Sequence, residues 1–366
     1  MYLEYNPEYR SYITKNRIPL IERNAMKLGV ISQNLMQFDF EEGLQFAQDI
    51  GLQAIETGGI GLWGNGYCDV DKLLAGGKSE IQRWLDSFEN HGLEISALGG
   101  HGSPLLPDKN AKETYSKQFR NQCKLAEIAG ITKMTLLAGL PEGAEGDTAP
   151  NWVTFAEWPF LRDTLEWQWE KRLVPYWKEH GKIAADHGVT LCFEMHGGDM
   201  VHNPVTLMRL HEEVGPVIAC NFDIAHMWYQ GIDPIEAVRY LGPLIQHVHV
   251  KDTLIHEHNS RLKGLMDSGT PEHPETRSWT YTLAGWGHDA KTWKEFVTTL
   301  RFIGYDHVLS IEMESEYIDV EEGLRKSLEF LKPIVLEKPP GKKWWEVAGM
   351  ERAGGLGENR DEQEEI

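Results

Sequence analysis

The chain has 366 residues, 41% of them hydrophobic and 25% charged, a balance that excludes a disordered polymer and fits a soluble globular protein. No run approaches the 18 consecutive apolar residues of a membrane span, and the opening MYLEYNPEYRSYITKNRIPL lacks the apolar centre of a secretory signal, so a cytoplasmic protein is expected. Lys and Arg number 36 against 56 Asp and Glu, a formal charge of −20, which repels a phosphate backbone and argues against nucleic acid as a partner.

From residue 27 onward, short apolar runs alternate with stretches of helical periodicity. The first run, Lys27 to Ser32, precedes a helix over 41–50. Ala54 to Thr57 precedes a Gly-rich loop and a helix over 81–91. Glu94 to Leu98 leads to a helix over 110–129, and Lys133 to Leu137 to one over 165–187. Thr190 to Glu194 is followed by 204–214, and Ile218 to Asp223 by 234–241. Ile245 to Val250 opens a long insertion that ends in a helix over 292–303. The eighth run, His307 to Glu312, is followed by a helix over 320–336.

Eight strand-helix units imply a parallel sheet, and their number matches an α/β fold of the (β/α)8 TIM barrel type. The barrel is expected over 27–337, with an N-terminal extension over 1–26 and a C-terminal one over 338–366 that ends in an acidic tail. Two connections, 138–164 and 253–290, are long enough to serve as lids or binding loops. Cys68, Cys123, Cys192 and Cys220 show no paired spacing and read as buried thiols.

In such a barrel the reactive residues sit where strands end and βα loops begin. Those positions hold Glu56, His101, Glu194, His196, Asp223, His226, His249 and Glu312. A strand-ending acid taken singly serves as a helix cap or an ion-pair partner, and a lone His as a satisfied core residue. The joint pattern is different: three carboxylates and an imidazole close four consecutive barrel strands. Hard oxygen donors with one nitrogen suit Mn²⁺, Mg²⁺ or Co²⁺, and Zn²⁺ accepts the same set. Mn²⁺ is the first choice for a single divalent ion.

The segments Phe193-Glu194-Met195-His196, Asn221 to His226, His247 to Asp252 and Ile311 to Glu314 resemble the xylose isomerase-like TIM-barrel superfamily, and within it the sugar phosphate isomerase/epimerase proteins. The likeness implies that Glu194, Asp223, His249 and Glu312 bind one divalent metal. It implies that His226 contacts substrate, with His101 and Glu56 as further contacts. Glu194-Met195-His196 with Gly197-Gly198 also resembles the catalytic subunits of bacterial C-glycoside deglycosidases, in which a His in that position is a candidate base.

The resemblance implies a metal-dependent isomerase or epimerase that abstracts a proton next to a sugar carbonyl, with Glu194 and Glu312 as carboxylates on opposite faces. A lyase that cleaves a 3-oxo-glycoside is the alternative, and a non-catalytic sugar-binding or scaffold barrel a third reading. A DNA-repair endonuclease on a similar barrel is opposed by the charge. His196, two residues past Glu194, faces the same way on a continued strand and reads either as a base or as an orienting group. Lys251 either contacts a substrate oxygen or pairs with Asp252, and His247 reads as packing beneath His249. Trp63, Trp152, Trp158, Trp228 and Trp286 fall on the side of the barrel mouth, where flat faces suit sugars or an aromatic group, and Trp286 is taken as a substrate contact. The expected partners are a small carbohydrate and either further copies of the chain or a small partner subunit.

Overall fold

The computed structural model describes residues 25–61, 66–267 and 269–342. Trp63 and most of both terminal extensions lie outside the described residues. Among the described residues there are ten strands: β1 (Lys27–Ile31), β2 (Ala54–Gly58), β3 (Glu94–Gly99), β4 (Lys133–Leu136), β5 (Thr190–Glu194), β6 (Ile218–Asp223), β7 (Ile245–Val250), β8 (Asp252–Ile255), β9 (Trp279–Thr282) and β10 (Val308–Ile311). Eight of them close a parallel barrel in the order β1-β10-β7-β6-β5-β4-β3-β2, with β1 paired to both β2 and β10. The TIM barrel expected from the eightfold repeat is therefore present.

Strand periodicity decides which side chains enter the barrel. In β5, Phe193 packs outward against Trp177 of the helix Val174–Asp186, with ring centroids 4.6 Å apart. Its neighbours Cys192 and Glu194 accordingly face the interior. In β6, Phe222 stacks outward on Phe296 of the helix Ala290–Ile303 at 5.8 Å, which turns Asn221 and Asp223 inward. By the same alternation β7 sends His247 and His249 inward.

Among the described residues, seven helices open on an Asp or Asn that accepts a first-turn backbone N–H: Asp39, Asp69, Asp108, Asn203, Asp233, Asp289 and Asp319. These residues are occupied as caps, which separates them from the acids gathered at the barrel mouth.

Three elements differ from the sequence expectation. The helix expected over 81–91 begins at Val70 and is broken by Gly77 at φ +70°. This is a left-handed conformation that Gly tolerates, and it hides the first turns from a periodicity count. The helix expected over 165–187 begins at Pro159 and passes through a π-helical segment, Trp169–Leu173, immediately before Pro175, whose missing N–H disrupts the regular ladder.

The 253–290 connection is the third. It contains β8 antiparallel to β9 and the helix Glu257–Lys263. Its anchor is Asp252, whose buried carboxylate accepts from the backbone N–H groups of Thr253, Gly285, Gly287 and His288, from the His288 ring and from Trp293 Nε1. All four cysteines are free and buried. Among the described residues no helix is long and apolar enough to cross a membrane.

Candidate active site and metal centre

Glu194, Asp223, His249 and Glu312 converge at the C-terminal rim of the barrel and are all buried. One ligand-type atom from each lies within 4.8 Å of the other three. His249 Nδ1 is 3.0 Å from Glu194 Oε2 and 3.1 Å from Glu312 Oε2, yet it makes no hydrogen bond of proper geometry, and neither does Asp223 Oδ2. Both atoms have charged neighbours, with Lys251 Nζ 3.0 Å and His226 Nε2 3.1 Å from Asp223 Oδ2, but neither has a well-directed hydrogen bond, and a shared cation fits such a cluster. Oxygen ligands about 2.1 Å from an ion stand at most about 4.2 Å apart across it, close to the spacing seen. The residues present fit a divalent metal.

The surroundings hold these groups in a metal-ready state. Glu56 Oε2 accepts from His249 Nε2 at 2.7 Å, and Glu56 Oε1 accepts from Thr135 Oγ1 at 2.5 Å. With its Nε2 proton given to Glu56, His249 points Nδ1 toward Glu194 and Glu312, and a metal ion would take the place of the Nδ1 proton, the carboxylate-histidine arrangement of metal sites. Glu194 is held by His226 Nε2 at 2.8 Å, His101 Nε2 at 3.2 Å and Asn221 Nδ2 at 3.1 Å. His226 Nδ1 in turn faces the hydroxyls of Tyr229 and Tyr281 at 3.0 and 3.2 Å.

Electrostatics point the same way. Burial opposes ionisation of Glu194, but its three imidazole partners hold its pKa well below the usual carboxylate range. Glu56 is likewise penalised by burial, and His249, His247 and His101 bring it down to about 2. Burial disfavours a charged His249, yet Glu56 and Glu312 raise its pKa well above the ordinary imidazole value. Four buried carboxylates thus create a strong demand for positive charge. Lys251 Nζ meets part of it, lying 3.0 Å from Asp223 Oδ2, 2.8 Å from Glu312 Oε2 and 2.7 Å from Glu314 Oε2, beneath the Tyr281 ring at 4.3 Å.

Beside the cluster lies a cavity of about 920 Å³ that none of the four clustered residues lines; its floor, the side next to His226 and Lys251, is formed by His196, Tyr281 and Glu314. His196 Nδ1 lies 2.6 Å from the Gly197 carbonyl oxygen and donates to it, and the ring packs edge-on against His226 at 4.4 Å. Burial and the neighbouring His226 lower its pKa to about 4, so the ring is neutral near pH 7 and Nε2 keeps a lone pair.

Several sequence expectations are corrected in detail. Glu56, His101 and His226 join the cluster, but each is buried against a carboxylate or imidazole of it and none lines the cavity. Lys251 does not pair with Asp252, whose oxygens are taken by the insertion. Trp286 is 52% exposed with Lys326 over its ring, and does not line the cavity. Trp228 stacks on His288 at 3.7 Å, and Trp158 is an exposed residue at a helix start. Of the described mouth tryptophans named from sequence, Trp152 reaches the cavity.

Sequence reasoning missed Glu314, Asn221 and Tyr281. Glu314 lies two residues past Glu312 and Asn221 two before Asp223, so strand alternation could have found both. Tyr281 sits deep in the insertion, where no strand-end rule applies.

A parallel eight-stranded barrel with a buried carboxylate-histidine cluster at its C-terminal rim defines a TIM barrel with a candidate metal centre. Residues 44–334 match the family model described as xylose isomerase-like TIM barrel, and the chain belongs to that family. It is 35% identical over 316 residues to the uncharacterized protein YfiH of Bacillus subtilis (strain 168), covering 85% of this chain and 99% of the relative. It is 33% identical over 229 residues to the 3-dehydroshikimate dehydratase of Bacillus anthracis, covering 62% and 70%. The crystal structure of 3-keto-D-glucoside 4-epimerase from E. coli shares the fold with a TM-score of 0.57 at 15% identity, over 84% of this chain and 99% of that one.

Proposed function

We propose that the protein is a divalent-metal-dependent isomerase or epimerase that removes the proton α to the carbonyl of a keto-sugar. The observation that carries this reading is the four-ligand cluster with Asp223 Oδ2 and His249 Nδ1 left without hydrogen bonds. Glu194, Asp223, His249 and Glu312 would hold the ion, with Mn²⁺ preferred. When bound, it supplies Lewis-acid polarisation of a carbonyl, which acidifies the adjacent C–H.

The chain's own groups then divide the proton work. Glu194, kept ionised by His101, His226 and His249, takes the α-proton. Glu312, whose Oε2 lies 3.1 Å from the same His249 Nδ1, returns a proton to the other face. His196 presents a neutral imidazole at the cavity floor, to orient a hydroxyl or share the proton. Lys251, once its role of balancing Asp223 and Glu312 passes to a metal ion, is free to donate to a substrate oxygen.

A second reading is elimination, with expulsion of a hydroxyl or an aglycone from the neighbouring carbon by the same carbanion. Two observations favour it: the 33% identical relative is a dehydratase, and Lys251 and Tyr281 adjoin the cluster as proton donors.

The test is incubation of Mn²⁺-loaded protein in D₂O with a panel of ketoses and oxidised glycosides, read by mass spectrometry. Solvent deuterium in recovered sugar is expected for the isomerase or epimerase, and loss of water or aglycone for elimination. No exchange and no conversion across the panel contradicts both. Glu194→Gln is expected to lose metal and activity together. His196→Ala should keep the metal and fall by about 10²-fold in rate, as for a lost proton-handling group.

A further inference from the structure

The barrel has a second opening at its N-terminal rim, the end away from the cluster. β3 and β4 pair only from Leu98 opposite Met134 onward, so their first residues part and leave a seam in the wall. On its other side β3 slips register against β2. Ile95 stands opposite Ile55 and Ala97 opposite Glu56, which leaves Ser96 without a register partner in either neighbour. Bulges of this kind occur at barrel rims and beside sites, where they re-aim a side chain. A cavity of about 400 Å³ fills the seam. Its lining runs from Leu85 and Phe88 of the helix Val70–Asn90 outside the barrel to the inward-facing His247, so it passes through the wall.

Most of that lining is apolar: Leu85, Phe88, Leu93, Ile95, Ile131 and Val308. Lys133 supplies a charge. It opens β4 on the same face as Thr135, whose hydroxyl reaches Glu56 inside the barrel, so its side chain enters the same opening. Lys133 is half-buried, and burial lowers its pKa. Among the described residues its Nζ has neither a hydrogen bond nor an ion pair. The acids near it are engaged elsewhere, Glu94 with Lys27 and Asp306 at 3.8 Å from the His307 ring. His247 closes the inner end, with Nδ1 donating to Asn221 Oδ1 at 2.9 Å and Nε2 facing Ser96 Oγ at 3.3 Å.

An unpartnered ammonium beside an apolar wall is matched by one negative charge on an apolar body. Glu89 and Glu94 line the same cavity and would repel a dianion such as phosphate. A monoanion meets Lys133 with its carboxylate and the seam with its hydrocarbon.

We infer that this seam is a second ligand site, for a small monocarboxylate with an aliphatic or aromatic body. No residue of its lining is shared with the cavity beside the cluster, and the inference stands apart from the keto-sugar reading.

The test is a binding titration of the full-length protein with butyrate, hexanoate, 1-hexanol and inorganic phosphate. Hexanoate is expected to bind about tenfold more tightly than butyrate, the effect of two more buried methylenes. It should bind about tenfold more tightly than 1-hexanol, the effect of a charge-assisted hydrogen bond. Lys133→Met should bring hexanoate down to the level of 1-hexanol. Ala129→Phe, which fills the cavity from the end of the helix Lys109–Ala129, should weaken both, and it reports even where the Lys133 variant folds poorly. Arg277→Met, in the lining of the other cavity, should leave hexanoate binding unchanged.

No binding of hexanoate, equal binding of hexanoate and 1-hexanol, or affinity that survives both Lys133→Met and Ala129→Phe would overturn the site. Loss in Arg277→Met alone would place the carboxylate in the other cavity and overturn it equally. Phosphate that displaces hexanoate would contradict the ligand class.

Discussion

At the scale of single residues, the tautomer of His249 is the pivot. Glu56 receives the Nε2 proton, so Nδ1 is left to a cation, and removal of the Glu56 charge should weaken metal binding without emptying the barrel of its other ligands. Glu56→Gln is expected to lose about 10- to 100-fold in metal affinity, the usual effect of a group supporting a ligand from behind, measured by isothermal titration. The raised pKa of His249 also fixes a pH dependence. Metal-free protein carries a proton there to higher pH than free imidazole does, and a metal must displace it. Affinity should therefore rise as pH goes from 6 to 8, with proton uptake by the buffer. An affinity that is flat over that interval would show that His249 is not a ligand.

At the scale of elements, the insertion between β7 and β10 does more than lengthen a loop. It supplies Tyr281 to the floor of the cavity and Arg277 to its wall, and it hangs on Asp252. Asp252→Ala strips several backbone and ring donors of one acceptor at once, and buried donors without partners are costly. A loss of about 3 kcal/mol in unfolding free energy is expected, together with proteolytic cleavage within 256–278. Unchanged stability and protease resistance would assign the anchoring elsewhere.

The same element shows what a sequence reading can reach. Strand ends such as Glu194 and Glu312 are legible because alternation fixes their side and the barrel fixes their end. Tyr281 is not, because its position depends on the β8–β9 pairing across a segment with no repeat to register it. Trp286 lies in the same connection, beyond the end of β9, and is 52% exposed and outside the cavity lining. The break at Gly77 and the π-helical segment before Pro175 mark where local backbone chemistry, rather than periodicity, sets the helix ends.

At the scale of the whole molecule, eight regular units make the barrel readable from the sequence, and closure brings residues from distant parts of the chain to one rim. What the repeat could not supply was the network behind the cluster, since Thr135–Glu56–His249 joins three strands across the barrel interior and His226 reaches Tyr281 of the insertion, contacts with no sequence spacing in common. The formal charge of −20 also favours accumulation of divalent cations near the protein at low ionic strength. The most direct measurement is the metal content of protein loaded with Mn²⁺ and desalted, by inductively coupled plasma mass spectrometry. One ion per wild-type chain is predicted, with none retained by Glu194→Gln or Asp223→Asn. A wild-type chain without bound metal, or either variant with a full complement, would contradict a shared cation at Glu194, Asp223, His249 and Glu312.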